Sequence, residues 1–504
     1  MTPTAQPSPP AAGFLWLAGA ALFAGYLALG WVGSNAGISA LDANGIIHLV
    51  NEQLQTGVVE ISRPPGHPMN EFWALPSLMR VMQLAGAAKV LSPLGYGLYQ
   101  LAGGVFCLVT FWFLLGEFSL SLTRRLLATA CLAFAPEFLI TSSDSEEFLW
   151  GMACVLAVVL IISRISSGAI RQPLAGWCLA VALAAAASGY RIEYGAVALL
   201  VVFATLFVSD QSWARKFGLA GLALLLLLIV WSPVLIHQGM VPPDPNPLNL
   251  KTRVEIGVYK IAFHALGIVP LMIATVFLFQ SRKSLQLLPT FPKNILNYWS
   301  FWLMLIFFAI YFVYPTKIEI VQPAVAFLIL LGAVHAGRWT WTCFVLACAS
   351  LQLVHLDCFS NRSWTGLNVQ PSLWTQNLSL KPSFIRPEAD AAARVASEGR
   401  HVFISKIRTW ELAWQRAHTG WPGVPDPENK NPDFIETYDV GPGIVATPSL
   451  LDNKPQLAQY IHEGYDIWID KRLYREMFMR YDLSTLTPAT AVIEGFPCRI
   501  VDAK

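Results

Sequence analysis

The sequence predicts an α-helical polytopic membrane protein of about 11 spans, followed by a soluble α/β domain. Three observations carry this. Of 504 residues, 55% are hydrophobic and 13% charged, whereas a soluble domain carries about 25% charge. Apolar runs near spanning length recur along most of the chain, punctuated by Pro, Gly and charge. From Asp357 onward the composition turns soluble, and helix-like and strand-like stretches alternate. A net charge of +2 with no basic stripe excludes a nucleic-acid partner.

In chain order, residues 1–12 are rich in Pro, Ala, Thr and Ser with no Lys or Arg, and form a disordered N-terminus rather than the basic region of a cleavable signal. The apolar runs are residues 13–32, 96–115, 126–139, 148–163, 174–188, 194–208, 217–236, 262–279, 299–314, 323–336 and 339–356. Several fall short of the ~20 residues that a bilayer core requires, so their ends include polar neighbours or they pack inside the bundle. Arg124, Arg125, Arg164, Arg171, Arg215, Lys216, Arg282, Lys283, Lys293 and Arg338 all fall on one side of this count. The positive-inside bias makes that side cytoplasmic. The opposite, exoplasmic side receives the long first loop 33–95, the acidic cluster after the third span, and the domain 357–504. Within the first loop, residues 72–91 are moderately apolar but carry Arg80, Gln83 and Lys89, which suits an interfacial or re-entrant helix better than a further span.

The last region reads as residues 387–398 helical then 401–405 extended, 455–463 helical then 465–469 extended, and a strand pair within 491–501 around Gly495. Cys358 and Cys498 stand near its ends and are equally compatible with a bridge or two thiols. The other six cysteines lie in apolar runs, where a thiol behaves as a small hydrophobe. No fixed-period repeat, Walker, Rossmann, zinc-ribbon or His-Glu-x-x-His pattern occurs.

Four polar constellations fall on the exoplasmic side. Asp42 lies just beyond the first span. It is followed by Arg63-Pro64-Pro65-Gly66-His67-Pro68, whose three prolines and glycine fix the backbone and hold Arg63 and His67 on a stiff frame. Asp144-Ser145-Glu146-Glu147 places three acids in four residues at a membrane boundary, where they repel unless solvated or bound to a cation. Arg191 and Glu193 separate the fifth and sixth spans, where such a pair forms an ion pair. Lys317 precedes the tenth span and is suited either to snorkelling or to an anionic ligand; Lys251 and Arg253 are weaker counterparts.

These motifs resemble those of the GT-C type integral-membrane glycosyltransferases, the superfamily of protein O-mannosyltransferases and the lipid A aminoarabinose transferase. The likeness lies in the Asp after the first span, the Pro-Pro-Gly-His-Pro run, the acid after span three, and a C-terminal soluble domain. It covers the transmembrane layout well and the last 150 or so residues only loosely. The resemblance implies a GT-C-like catalytic domain over residues 13–356 and an inverting transfer from a polyprenyl-phosphate sugar. The acceptor would be a lipid, a polysaccharide or a protein. Asp42 is then the general base and Asp144 the second catalytic acid. Arg63, His67, Arg191, Glu193 and Lys317 bind the donor and its phosphate. No cofactor is required; Asp42, His67 and Asp144 together offer one site for a divalent ion. A secondary transporter, or a polymerase or ligase acting on a polyprenyl diphosphate, are the alternatives. The missing repeat speaks against the first, and the position of Asp42 against the second.

Overall fold

The structure is a computed structural model that describes residues 9–35, 46–47, 49–51, 53–54, 57, 67–87, 91–144, 148–237, 250–281, 295–315, 317–360, 363–376, 378, 398–404, 437–440, 442–446, 450, 454–470, 491–493 and 496–501. It divides into two compact units, Met1–Leu378 and Ser379–Lys504. The first is helical: α1 (Pro9–Asn35), α2 (Leu75–Leu84), α3 (Pro93–Glu117), α4 (Leu122–Ala133), α5 (Pro136–Asp144), α6 (Phe148–Ser166), α7 (Pro173–Tyr190), α8 (Ile192–Val208), α9 (Trp213–His237), α10 (Leu250–Lys260), α11 (Ile268–Ser281), α12 (Ile295–Val313), α13 (Gln322–His335) and α14 (Arg338–Ser350). Among the described residues, seven helices are long and apolar enough to cross a membrane, or nine if two bent pairs each count as one span. The chain is thus a multi-pass helical membrane protein.

All 11 apolar runs are helical over most of their length, but three differ from a simple span. The run 126–139 is two helices, α4 and α5, bent by 61°. Pro136 has no N–H to offer the preceding turn, and its ring disfavours helical geometry at Ala135, so the helix restarts there. The run 262–279 is likewise broken. A π-helical turn, Ile261–Ala265, continues α10, and α11 leaves at 99°. Gly267 makes this corner at φ +79°, with the Leu351 side chain 2.6 Å from where a Cβ would stand. A side chain there would be both strained and obstructed. The run 339–356 is helical only to Ser350; at 13 residues α14 reaches about 20 Å, short of the ~30 Å core, and the chain is extended from Val354.

At the N-terminus, α1 begins at Pro9 rather than Gly13. Proline is tolerated in a first turn, where its missing N–H has no helical acceptor, and Ala11 and Ala12 are strong helix formers. In the first loop the helix predicted over 72–91 ends at Leu84, closed by Gly86 at φ +68°. It buries Leu75 and Met79 and exposes Leu78, Val81 and Leu84. Even with the six-residue π-helical turn Met69–Ala74 that leads into it, the ten-residue α2 reaches only about 24 Å, short of the ~30 Å core.

Packing sorts the helices. In the window beginning at Ile318, which contains α13, 83% of residues are buried, against 11% for α1 and 17% for α9. Leu224, Leu225 and Leu228 of α9 face outward, as lipid-facing leucines do. Ala180, Ala184 and Ala187 of α7 are fully buried and let neighbouring helices approach closely. Three of the basic connection residues anchor to neighbouring helices: Arg164 pairs with Glu117 at 2.9 Å, Arg125 donates to the Trp112 carbonyl at 3.0 Å, and Arg124 donates to the Ala336 carbonyl at the end of α13.

After α14 an antiparallel hairpin, β1 (Val354–Ser360) and β2 (Ser363–Pro371), belongs to the first unit. The division between units therefore falls after Leu378 and not at the composition change at Asp357. The hairpin is polar in sequence, yet Trp374, just beyond it, joins the large helical core. The second unit holds a six-stranded sheet in the order β4-β5-β3-β6-β8-β7, from β3 (His401–Ile404), β4 (Thr437–Val440), β5 (Gly443–Ala446), β6 (Asp466–Asp470), β7 (Ala491–Ile493) and β8 (Phe496–Val501). Its inner strands run parallel and both edges antiparallel. Helix α15 (Lys454–His462) buries Leu457 against Val402, Ile404, Ile467 and Ile469. The helix predicted over 387–398 falls almost wholly outside the described residues, as do the side chains of Cys358 and Cys498.

Candidate active site

The site is built around the corner between α7 and α8. The segment Gly189-Tyr190-Arg191-Ile192-Glu193-Tyr194-Gly195 turns in a single residue: Arg191 is extended, at φ −150° and ψ 124°, between two helices. Glycine at both ends makes this possible. A Cβ on Gly195 would stand 2.3 Å from the Ser188 backbone, and one on Gly189 would stand 2.5 Å from Met69. The second approach lets the segment after the Pro-rich run lie directly on α7.

Arg191 and Glu193 form the expected ion pair, both Nε and the guanidinium NH2 lying 2.9 Å from Glu193 Oε1. The guanidinium also stacks over the Phe148 ring at 4.3 Å. Both side chains are largely buried, so the pair is screened far less than a surface one.

His67 is buried, and its Nδ1–H donates to the Tyr190 carbonyl at 3.0 Å. Since a carbonyl only accepts, Nδ1 must carry a proton for this bond to form. Three residues on, buried Asn70 accepts from the Tyr99 hydroxyl at 2.8 Å, and the Tyr190 hydroxyl lies 3.3 Å from that of Tyr99. Trp150 stacks on Tyr99 and Tyr190 and donates to the Tyr99 carbonyl at 3.1 Å. The first loop is also clasped farther out, where the Asn51 amide donates to the Leu91 carbonyl and accepts from its N–H.

On the other flank, the Tyr194 hydroxyl donates to the Glu319 carbonyl at 3.3 Å, joining the corner to Lys317-Ile318-Glu319. Lys317 is half-buried and hydrogen-bonds through its N–H to the Tyr314 carbonyl. Lys260, the last residue of α10, interacts electrostatically with Glu319, Glu137 and Lys317. Gln322 opens α13 and donates to the Glu137 carbonyl at 3.2 Å, tying α13 to α5. At the end of α1, Gly33 lies against Ser143, the neighbour of Asp144.

Three of the seven residues singled out from the sequence, His67, Arg191 and Glu193, thus meet at the stretch from Tyr190 to Tyr194, and Lys317 lies two residues before the Glu319 carbonyl that Tyr194 holds. Asp42 and Arg63 lie outside the described residues. Asp144 is the last residue of α5, and its side chain also lies outside them. Sequence reasoning passed over Asn70, Tyr99, Trp150, Tyr190 and Lys260. The one signal for Asn70 was its place directly after the proline run; the aromatic residues carry no signal apart from apolarity.

No family model matches the chain, and no curated protein matches it. Among solved structures it is similar to ArnT from Cupriavidus metallidurans bound to undecaprenyl phosphate. That likeness has a TM-score of 0.51 and 13% identity, and covers 79% of this chain and 84% of that one. The same protein in the apo state matches at a TM-score of 0.40 and 13% identity. At this identity the likeness is one of fold: the chain shares its architecture with ArnT.

Proposed function

We propose that this protein is a membrane glycosyltransferase that moves a sugar from a polyprenyl-phosphate donor to a hydroxyl acceptor on the exoplasmic face. The observation that carries this reading is the meeting of His67 and the Arg191–Glu193 pair at one helix corner, which the Tyr194 hydroxyl ties to the Glu319 carbonyl two residues beyond Lys317. The fold is one that in ArnT binds undecaprenyl phosphate.

The donor presents its anomeric carbon at the membrane surface with an anionic leaving group directed toward the lipid. The acceptor oxygen attacks that carbon and forms the new glycosidic bond. The bond from carbon to phosphate oxygen breaks, and its electron pair leaves on the polyprenyl phosphate. The acceptor proton passes to the Asp42 carboxylate, the general base. Fixed positive charge from Arg191 and Lys317 stabilises the departing phosphate, which gains charge only as the bond breaks. Arg63 and His67 orient the sugar phosphate from the first loop, and Glu193 holds the guanidinium of Arg191 in place. Asp144, ending α5 beside the close of α1, assists the acceptor or completes a divalent-ion site with Asp42 and His67. One face of attack and a leaving group on the other give inversion at the anomeric carbon.

The test is transfer by the purified full-length protein in lipid nanodiscs, given a panel of polyprenyl-phosphate sugars and read as release of free polyprenyl phosphate. Release that depends on an acceptor and disappears in Asp42→Asn is the expected result. No release from any donor of this class would contradict the reading.

A further inference from the structure

A second polar cluster lies where the broken helix meets the hairpin that follows α14, within the first unit. His264 sits in the π-helical turn Ile261–Ala265, and His355 and Asp357 stand on β1. Separated by two positions, the β1 residues project from the same face of the strand. The candidate donor atoms of all three residues lie within 4.8 Å of one another. The two imidazole rings are 5.4 Å apart, and His355 Nε2 is 4.0 Å from Asp357 Oδ2. His355 is 2% exposed, and its Nε2 has no hydrogen-bond partner.

A buried imidazole nitrogen left without a hydrogen bond costs free energy. The Tyr259 hydroxyl donates to Asp357 Oδ1 at 2.7 Å, which orients the carboxylate with Oδ2 toward His355. A hydrogen-bonded carboxylate of this kind is the usual support of a metal ligand.

We propose that His264, His355 and Asp357 bind a zinc ion that fastens the hairpin to the break between α10 and α11. Two neutral imidazoles and one carboxylate make a donor set that suits zinc, with a fourth position left for water. Zinc bonds of about 2.0–2.2 Å place tetrahedral donors about 3.3 Å apart, so donor atoms within 4.8 Å of one another close by up to about 1.5 Å, a matter of side-chain rotation. A π-helical turn widens the helix locally and re-aims the residues it carries, which is what turns His264 toward the strand. The ion would hold the end of α10, where Lys260 shares its field with Lys317 and Glu319. It neither requires nor excludes the transferase reading.

Metal content decides it, measured by elemental analysis of the full-length protein purified in detergent on a tag that carries no histidine. The expected result is about one zinc per chain, lost in His264→Ala, His355→Ala and Asp357→Asn, and weakened about ten- to a hundredfold in Tyr259→Phe. A chelator should lower the thermal unfolding midpoint of the wild type and leave those three variants unmoved. Should a variant fail to fold, X-ray absorption at the zinc edge of the wild type still discriminates. Two imidazoles and oxygen ligands support the site, whereas thiolate ligation or an all-oxygen shell overturns it. Wild-type protein without stoichiometric zinc, or variants that keep it, would also overturn it.

Discussion

The Nδ1–H of His67 donates to the carbonyl of Tyr190 at 3.0 Å across 123 residues of sequence, and so docks the first loop on the corner between α7 and α8. The acceptor is the residue immediately before Arg191. One hydrogen bond therefore links the end of the proline run to the corner that carries the Arg191–Glu193 ion pair.

Replacing His67 with Phe keeps bulk but leaves a buried carbonyl without its donor. A loss of about 1–3 kcal/mol in stability is expected, together with weaker donor binding. Thermal unfolding and donor titration on the same preparation measure both. Unchanged values in both would show that the loop docks by other contacts.

Gly195→Ala drives a methyl group to 2.3 Å from the Ser188 backbone, where nothing flexible can yield. The corner should open, at a cost of more than about 2 kcal/mol. Gly218→Ala in α9 is the contrast, because no atom lies within 4 Å of its would-be Cβ. Helix propensity then favours alanine by up to about 1 kcal/mol. Unfolding midpoints of the two variants should move in opposite directions.

Arg191→Ala leaves the largely buried Glu193 without its 2.9 Å partner, and Glu193→Ala does the converse. Each single variant should be destabilised by about 3–5 kcal/mol, the usual cost of breaking a buried pair. The double variant should recover most of that stability but not transfer. If transfer returned with stability, Arg191 would have no part in holding the phosphate.

Orientation is tested with an impermeant maleimide on single-cysteine proteins in intact cells. Glu463→Cys, on the exposed end of α15, is expected to label from outside. Arg171→Cys, in the exposed basic connection before α7, is expected to label only after permeabilisation. The reverse pattern would turn the protein over in the membrane.

The position of the helices was legible because hydropathy reports directly which segments leave water, and all 11 runs are helical in the main. The breaks were less so. Pro136 and Gly267 announce themselves as helix breakers, yet a hydropathy run passes over both, since neither residue is polar. The span predicted up to residue 356 overran into β1 for the same reason: Val354 and Leu356 are apolar in a strand as in a helix. At the site, the local pair Arg191–Glu193 could be read from spacing alone. The bond from His67 to Tyr190 could not, because its acceptor is a main-chain carbonyl that any residue carries. His264 and His355 stand 5.4 Å apart across 91 residues of sequence (355 − 264), a pairing that no local pattern in the chain records.

The central claim is that the corner holds the phosphate of a polyprenyl donor, and equilibrium binding of undecaprenyl phosphate to the purified protein in nanodiscs tests it most directly. Lys317→Ala removes one charge-assisted hydrogen bond to a phosphate oxygen, about 1.5–3 kcal/mol, and should weaken binding about ten- to a hundredfold. Lys216→Ala, at a half-buried lysine that meets Phe207 and Trp213, should bind as the wild type does. Saturable binding by the wild type with that difference between the two variants is the expected result. No saturable binding, or equal affinity in wild type, Lys317→Ala and Lys216→Ala, would contradict the account.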